Sequence, residues 1–90
     1  MHLKVLTYDR IVLEAEVKFV TLPGVDGEIT AMDGHDRLIK ILRKGNMHFI
    51  RSQEQEEPER EYYEIDGGIA EITHTSVILF VQDAVKVLEN

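Results

Sequence analysis

Short runs of alternating apolar and polar residues dominate the sequence. In the first run, Leu3, Val5 and Thr7 would share one face of a strand, and residues 16–22 alternate in the same way. A period of two is the pattern of a strand that buries only one of its faces. The start of the chain therefore predicts paired β-strands rather than helices.

Turn residues divide the rest of the chain into further segments of similar length. The predicted strands cover residues 3–8, 10–13, 16–22, 46–51, 62–65, 69–73, 76–81 and 85–88. The run 76–81 is continuously apolar, which predicts burial on both faces. Some eight to ten short strands at this spacing predict an all-β fold. We expect one domain over residues 1–90, an antiparallel β-sandwich of about ten strands.

One segment, residues 37–44, is ambiguous between a helix and a strand. Its apolar residues are spaced as in a helix, with basic residues on the other face. A free-standing helix needs about 12 residues, however, and this segment is shorter. A strand is therefore the better prediction here.

The glycines fall between the predicted strands. Positive φ angles and close backbone approaches are common at such connections, and glycine adopts both without steric cost. We therefore predict structural turn roles for Gly24, Gly27, Gly45, Gly67 and Gly68.

Composition and charge exclude several classes of function. The chain has 90 residues, no cysteine and a net charge of −7. Without cysteine there are no disulfides, thiolate metal sites or cysteine nucleophiles, and the negative charge argues against nucleic-acid binding. The start of the chain does not resemble a signal peptide, and no apolar run approaches the roughly 18 residues of a membrane span. We expect a cytoplasmic protein that meets a membrane only through a partner.

Charge is distributed unevenly along the chain. A basic stretch contains Arg37, Lys40, Arg43 and Lys44, and an acidic one contains Glu54, Glu56, Glu57, Glu59 and Glu61 near Pro58. Such runs usually form solvated surface. The alternative is a bipolar domain whose two ends meet different partners.

The residue pattern does not predict catalytic chemistry. The four histidines, His2, His35, His48 and His74, are scattered without the spacing of metal ligands. Neither Ser52 nor Ser76 has the glycine flanks of a nucleophile turn. We predict no catalytic residues, no metal and no cofactor. The alternative is a small enzyme whose pocket, formed only by folding, contains His48 or His74 with carboxylates.

Four segments, in order and spacing, resemble a known family. They are VTLPG at 20–24, GEI at 27–29, DGH at 33–35 followed by Leu38-Ile39, and IDGGI at 65–69 leading into residues 77–79. Together they resemble the N-terminal β-sandwich domain of the F-type ATP synthase epsilon subunit. The similarity covers about residues 3–84, and its order is more specific than any single segment.

The resemblance implies a non-catalytic subunit of the rotor, peripheral to the cytoplasmic side of the membrane. Such a domain docks on the gamma subunit, touches the polar loops of the c-ring, and meets the catalytic alpha/beta head only indirectly. The c-ring contacts of the family correspond to Glu28 and His35, with Gly34 allowing the turn. The alternative for each is a local turn role. For the gamma contact we predict Ile39, Ile41, Leu42 and Met47, with core packing as the alternative.

The chain also departs from the family pattern. Asp33 replaces the proline before Gly34, Asp36-Arg37 replace Ala-Pro, and Lys44-Gly45 lack the intervening proline. The sequence stops at Asn90, where typical members continue into a helical hairpin. We expect either a short form of the subunit or its first domain alone. The competing interpretation is a stand-alone β-sandwich that binds a protein or a carbohydrate through its loops.

Overall fold

All regular structure in the described part of the chain is β-strand. The computed structural model describes residues 1–52 and 59–88. The strands are β1 (His2–Leu6), β2 (Ile11–Gly24), β3 (Gly27–Ala31), β4 (Leu38–Arg51), β5 (Arg60–Ile72), β6 (Ser76–Val81) and β7 (Ala84–Val87). The all-β prediction is confirmed, and the ambiguous segment 37–44 lies mainly in β4. Three glutamates of the predicted acidic stretch, Glu54, Glu56 and Glu57, and the neighbouring Pro58 lie outside the described residues.

Strand pairing divides the molecule into two half-sheets. The first half-sheet consists, in order, of 38–42 of β4, 68–72 of β5, β6, β1 and 11–16 of β2. The second consists of β7, 60–65 of β5, 44–51 of β4, 17–24 of β2, and β3. Each half-sheet has five strand segments. The predicted sandwich of about ten short strands is therefore built from seven strands, because β2, β4 and β5 each run through both halves.

The long strands explain why three predicted turns are wrong. Gly45 pairs with Ile65 in the middle of β4, and Gly67 and Gly68 lie within β5. The φ angles of Gly67 and Gly68 are +106° and +143°. Two successive residues in this region bend β5 as it leaves one half-sheet for the other, yet the ladder with β4 keeps its register on both sides. The predicted turn at Gly24 and Gly27 is correct, since the two pair across a hairpin.

Among the described strands, β1 makes the one pairing that departs from an antiparallel sandwich. β1 is antiparallel to β2 on one side and parallel to β6 on the other, which closes the pairing into a ring. Alternation within a strand says which face is buried but not the direction of the neighbouring strand. The sequence therefore did not distinguish this parallel pair.

Inward-facing side chains of both half-sheets form the core. Among the fully buried ones are Phe49, Leu22, Ile65, Leu79 and Val5. Leu42 and Met47 belong to the same core, with exposed fractions of 4% and 0%. The prediction that these two face outward toward gamma is wrong, because the inward-facing positions of β4 change from even-numbered to odd-numbered where the strand passes from one half-sheet to the other, and both Leu42 and Met47 are inward positions. In the part of the chain that the structure describes, no helix is suited to crossing a membrane.

Candidate functional site

A row of apolar side chains crosses the whole outer face of the first half-sheet. Directly paired residues point to the same side of a sheet, and the pairing links Ile41 to Ile69, Ile69 to Phe80, Phe80 to Leu6, and Leu6 to Ile11. All but the half-buried Leu6 are strongly exposed, Phe80 by 49%. We call these five residues the apolar row. Contiguous exposed apolar surface of this kind marks protein-interaction sites.

The sequence predicted only one end of this surface. Ile41 is exposed as predicted. Ile39, two residues earlier on the same face of β4, has an exposed fraction of 69%. The prediction that residues 76–81 are buried on both faces is wrong, because Phe80 is exposed and Ile78 is half-buried. An apolar run does not itself reveal that its outer face lacks a covering layer. The strand register was needed to join Phe80 and Ile69 to Ile41.

Three charged residues and two isoleucines border the apolar row on one side. The adjacent set of paired positions is Ile39, Glu71, Ile78, Lys4 and Glu14. A hydrophobic centre with a polar rim is the usual composition of a protein interface. The face thus has the composition of a docking surface rather than of a ligand pocket.

A groove continues the apolar row at one end of the half-sheet. A cavity of about 450 Å³ is lined by Leu6 and Phe80 of the row, and also by Tyr8 and Gly67. Tyr8 projects into solvent with an exposed fraction of 96%. An aromatic side chain beside an apolar groove can anchor a partner because it buries a large area with few rotatable bonds.

The predicted c-ring residue Glu28 lies near the start of β3. It is exposed and pairs with Pro23 of β2. In the described residues, β3 pairs only with β2 and is therefore an edge strand. The Gly24–Gly27 hairpin precedes it, and there the Asp26 carboxylate forms an ion pair with Lys40. Glu28 is thus presented by a hairpin that is fastened to β4.

His35 lies in the loop that follows β3. Gly34 has a φ of +89°, which confirms the predicted sharp turn. The Gly34 N–H donates to the His74 carbonyl at 2.8 Å, and the His35 N–H donates to the Met32 carbonyl at 3.0 Å. The Asp33 carboxylate is 2.8 Å from the amino group of Met1. Hydrogen bonds and this ion pair therefore hold the loop in place.

The structure does not bring Glu28 and His35 into one cluster. Glu28 is the second residue of β3, and His35 comes four residues after its end at Ala31. The three residue steps from Glu28 to Ala31 alone span roughly 10 Å. The two residues therefore offer separate points of contact along one edge, near opposite ends of β3.

The three described cavities do not include either histidine of the enzyme site considered as an alternative. His48 is half-buried beside Tyr62, with ring centroids 5.3 Å apart, and its Nδ1 is buried without a hydrogen-bond partner. Burial and the Arg60 charge lower the pKa of His48, while the Glu28 charge partly opposes them. Three cavities of about 450, 260 and 210 Å³ are not lined by a histidine. Within residues 1–52 and 59–88, no three potential ligands are grouped for a metal ion.

His2 gives this end of the molecule a predicted pH dependence. Its Nδ1 is 2.6 Å from Glu16 and its Nε2 is 2.7 Å from Glu14. Both ring nitrogens must carry protons to donate to two carboxylates, so the hydrogen bond with Glu16, and then that with Glu14, raises the pKa of His2 above its usual 6.5. A raised histidine pKa adds stability below about pH 6.5 that is lost as the pH rises through the folded value.

We therefore expect the free energy of unfolding to gain a His2-dependent contribution at pH 6 that is absent at pH 9. NMR titration of the His2 ring should give a midpoint above 6.5, and His2→Gln should remove the contribution in urea unfolding. His74→Gln changes an exposed histidine that is not hydrogen-bonded to Glu14 or Glu16, and it is the matched control. A His2 midpoint at or below 6.5 would contradict the assignment.

Comparisons with known proteins identify the family of the chain. The family profile described as "ATP synthase, Delta/Epsilon chain, beta-sandwich domain" matches residues 1–87. The chain is 30% identical over 89 residues to an ATP synthase epsilon chain from Lawsonia intracellularis, covering 99% of this chain and 63% of that protein. It is 33% identical over 86 residues to the Bordetella avium epsilon chain, covering 96% and 58%. The chain thus spans about three-fifths of the length of these relatives.

Solved structures give the same result for the fold. A chain of the Euglena gracilis mitochondrial ATP synthase, solved as an OSCP/F1/c-ring assembly, has a TM-score of 0.79 and 26% identity. The match covers 93% of this chain and 51% of that one. A chain from the central stalk and c-ring of the Tetrahymena thermophila enzyme has a TM-score of 0.74 at 13% identity, covering 93% and 64%. The second match is evidence of the shared fold alone.

Proposed function

The chain belongs to the family of the ATP synthase delta/epsilon chain β-sandwich domain, and we propose that it is a non-catalytic rotor subunit of an F-type ATP synthase. In this role, residues 1–90 act as one unit that joins the gamma subunit to the c-ring. The unit supports the coupling of ion translocation to ATP synthesis and meets the alpha/beta head only indirectly. It is peripheral to the membrane on the cytoplasmic side, needs no cofactor and does not bind nucleic acid.

The apolar row carries this proposal, because a rotor subunit needs a broad and stiff contact with gamma. The row extends across all five strand segments of the first half-sheet, from Ile41 to Ile11. A stable interface buries about 800 Å² on each partner, and a complete sheet face with a polar rim suits that requirement. Since Leu42 and Met47 are in the core, we assign gamma binding to the apolar row together with Ile39.

The contact with the c-ring is assigned to β3 and the loop that follows it. Glu28 on the edge strand and His35 in the loop beyond it are polar groups suited to short c-ring loops. Gly34 sets the position of His35 through its positive φ and its bond to the β5–β6 turn. Hydrogen bonds and ion pairs there would fix the register between domain and ring rather than supply most of the affinity.

We expect Glu28→Ala combined with His35→Ala to leave the fold intact and to weaken coupling. Neither side chain is buried in the core, and the loss of two polar contacts worth about 1 kcal/mol each weakens the ring contact by about thirtyfold. The measurement is ATP-driven ion pumping per ATP hydrolysed in membranes that contain the assembled complex.

The matched control is Glu64→Ala, which removes an exposed carboxylate from β5, away from β3 and its loop. Circular dichroism should be the same for both variants and for the wild-type chain. Unchanged pumping per ATP in the double variant would count against the c-ring assignment.

A further inference from the structure

Lys40 is a charged residue in an inward-facing position of the first half-sheet. The pairing places it in line with Ala70, Leu79 and Val5, all of which are fully buried. Its side chain is only 20% exposed, and its ammonium group ends on the Asp26 carboxylate. The Lys40 side chain therefore runs from β4 in the first half-sheet to the hairpin that precedes Glu28 in the second.

The hairpin is shaped to receive this side chain. A Cβ atom added to Gly24 would lie 2.7 Å from Lys40 Cε and 2.5 Å from the Gly27 carbonyl oxygen. Because Gly24 has no side chain, the alkyl part of Lys40 can lie directly against the hairpin backbone. A backbone hydrogen bond also joins the hairpin to β4, since the Val25 N–H donates to the Ile41 carbonyl at 3.0 Å.

The neighbours of Lys40 on β4 point the other way. Ile39 and Ile41 project outward from the first half-sheet and are strongly exposed. One short segment of β4 therefore contributes to the proposed gamma surface on one face and holds the hairpin on the other. A change in the position of this segment can be passed to the hairpin through the Lys40–Asp26 ion pair and the Val25–Ile41 hydrogen bond, and Lys40 is the side chain that makes this link.

From this geometry we propose that Lys40 is a positioning residue, which fixes the Gly24–Gly27 hairpin and the adjacent Glu28 relative to the gamma-binding face. The inference rests on the function proposed above and adds to it the link between its two contact surfaces. Lys40 itself is not assigned to either contact. Its role is to keep Glu28 in one place while load passes between gamma and the ring.

Electrostatics of the ion pair are consistent with this role. The hydrogen bond from Lys40 is the largest cause that lowers the pKa of Asp26, followed by the backbone bond of Asp26 and the Lys40 charge. A lowered carboxyl pKa means that the Lys40–Asp26 ion pair holds at neutral pH and is lost as the pH falls through the folded pKa.

A simpler role for an inward-pointing lysine is to protect an edge strand from pairing with another chain. The experiment must separate this role from the positioning of the hairpin.

The test compares two variants. Lys40→Met keeps an unbranched apolar side chain and removes the positive charge, whereas Lys40→Arg keeps both the alkyl part and the charge. Lys44→Met, in the same strand but with a side chain 74% exposed, is the matched control. Hydrogen exchange of the 25–28 amides is measured in the isolated chain and in the assembled complex, together with gamma affinity and ion pumping per ATP.

We expect Lys40→Met to speed exchange in the hairpin by about two- to fivefold, because the loss of one ion pair lets the hairpin open more often. Pumping per ATP should fall, gamma affinity should not change, Lys40→Arg should restore both altered readouts, and Lys44→Met should behave as wild type. If Lys40→Met does not fold, Asp26→Asn removes the same ion pair by changing its exposed partner. The same results are expected for that variant.

Two results would overturn the inference. One is unchanged hairpin exchange accompanied by self-association, which would limit Lys40 to protecting the edge. The other is faster hairpin exchange with unchanged pumping, which would separate the hairpin from coupling. Both differ from failure of the proposed function itself, in which the wild-type chain would not bind gamma at all.

Discussion

Replacing Gly68 with alanine should lower the free energy of unfolding by roughly 3 kcal/mol or more. Losses of this size are typical of backbone clashes and strained conformations. An alanine Cβ at this position would lie 2.2 Å from the Phe80 carbonyl oxygen and 3.0 Å from Val81 Cγ1. The φ of +143° adds strain for any L side chain. Since the nearest atom is backbone, β6 must move away from β5. Urea unfolding measures the effect through the midpoint.

Gly27→Ala is the matched control for this prediction. Gly27 has a similar φ of +128°, but an added Cβ would meet no atom within 4 Å. Its cost should be only the conformational strain, about 1–2 kcal/mol. Equal losses of stability in the two variants would mean that the close approach of β5 to β6 is not what requires glycine at position 68.

A double substitution in the apolar row, Ile41→Glu with Phe80→Glu, should abolish co-purification with the gamma subunit. Both side chains are exposed, so the domain should remain folded. Large apolar side chains that become buried in an interface can each contribute about 2 kcal/mol or more. The loss of both corresponds to roughly a thousandfold weaker binding, and a buried glutamate without a partner would weaken it further.

Val85→Glu is the control for the apolar row. Val85 is exposed by 58%, comparable with the two substituted residues, but it lies on β7 at the edge of the second half-sheet. This variant adds the same charge and should bind gamma as the wild type does. Retained binding of gamma by the folded double variant would move the interface to another face.

Sequence alternation was sufficient to predict the fold class but not the number of strands. Leu3 and Val5, predicted to share one face, are both fully buried. The glycines of β4 and β5 were interpreted as chain breaks, whereas Gly67 and Gly68 let one strand bend and continue. A positive φ serves equally well in a turn and in a bent strand, and local sequence does not distinguish them.

The candidate surface was predictable only in part, because it depends on register between distant strands. Ile39 and Ile41 were predicted to be exposed and are. Their connection to Phe80 passes through Ile69, and nothing in the local sequence indicates these partners. The inward position of Lys40 was missed for a related reason, since a lysine in a polar stretch is normally assigned to solvent.

Glu28 and His35 came from family resemblance rather than from the residues themselves. The turn at Gly34 follows the prediction, but two features of the loop could not be anticipated. The Asp33 carboxylate reaches the Met1 amino group, and the Gly34 N–H reaches the His74 carbonyl. Both are contacts between residues far apart in sequence. The loop keeps a defined shape without the family prolines because of these contacts, and the roles of Glu28 and His35 stay predictions.

The most direct test of the central claim is isothermal titration calorimetry of the wild-type chain with the gamma subunit encoded nearest to it, at several temperatures. We predict a one-to-one complex with a negative heat-capacity change, because binding would bury the apolar row. Absence of binding by a folded chain would contradict the rotor assignment and favour a stand-alone β-sandwich that binds a different protein.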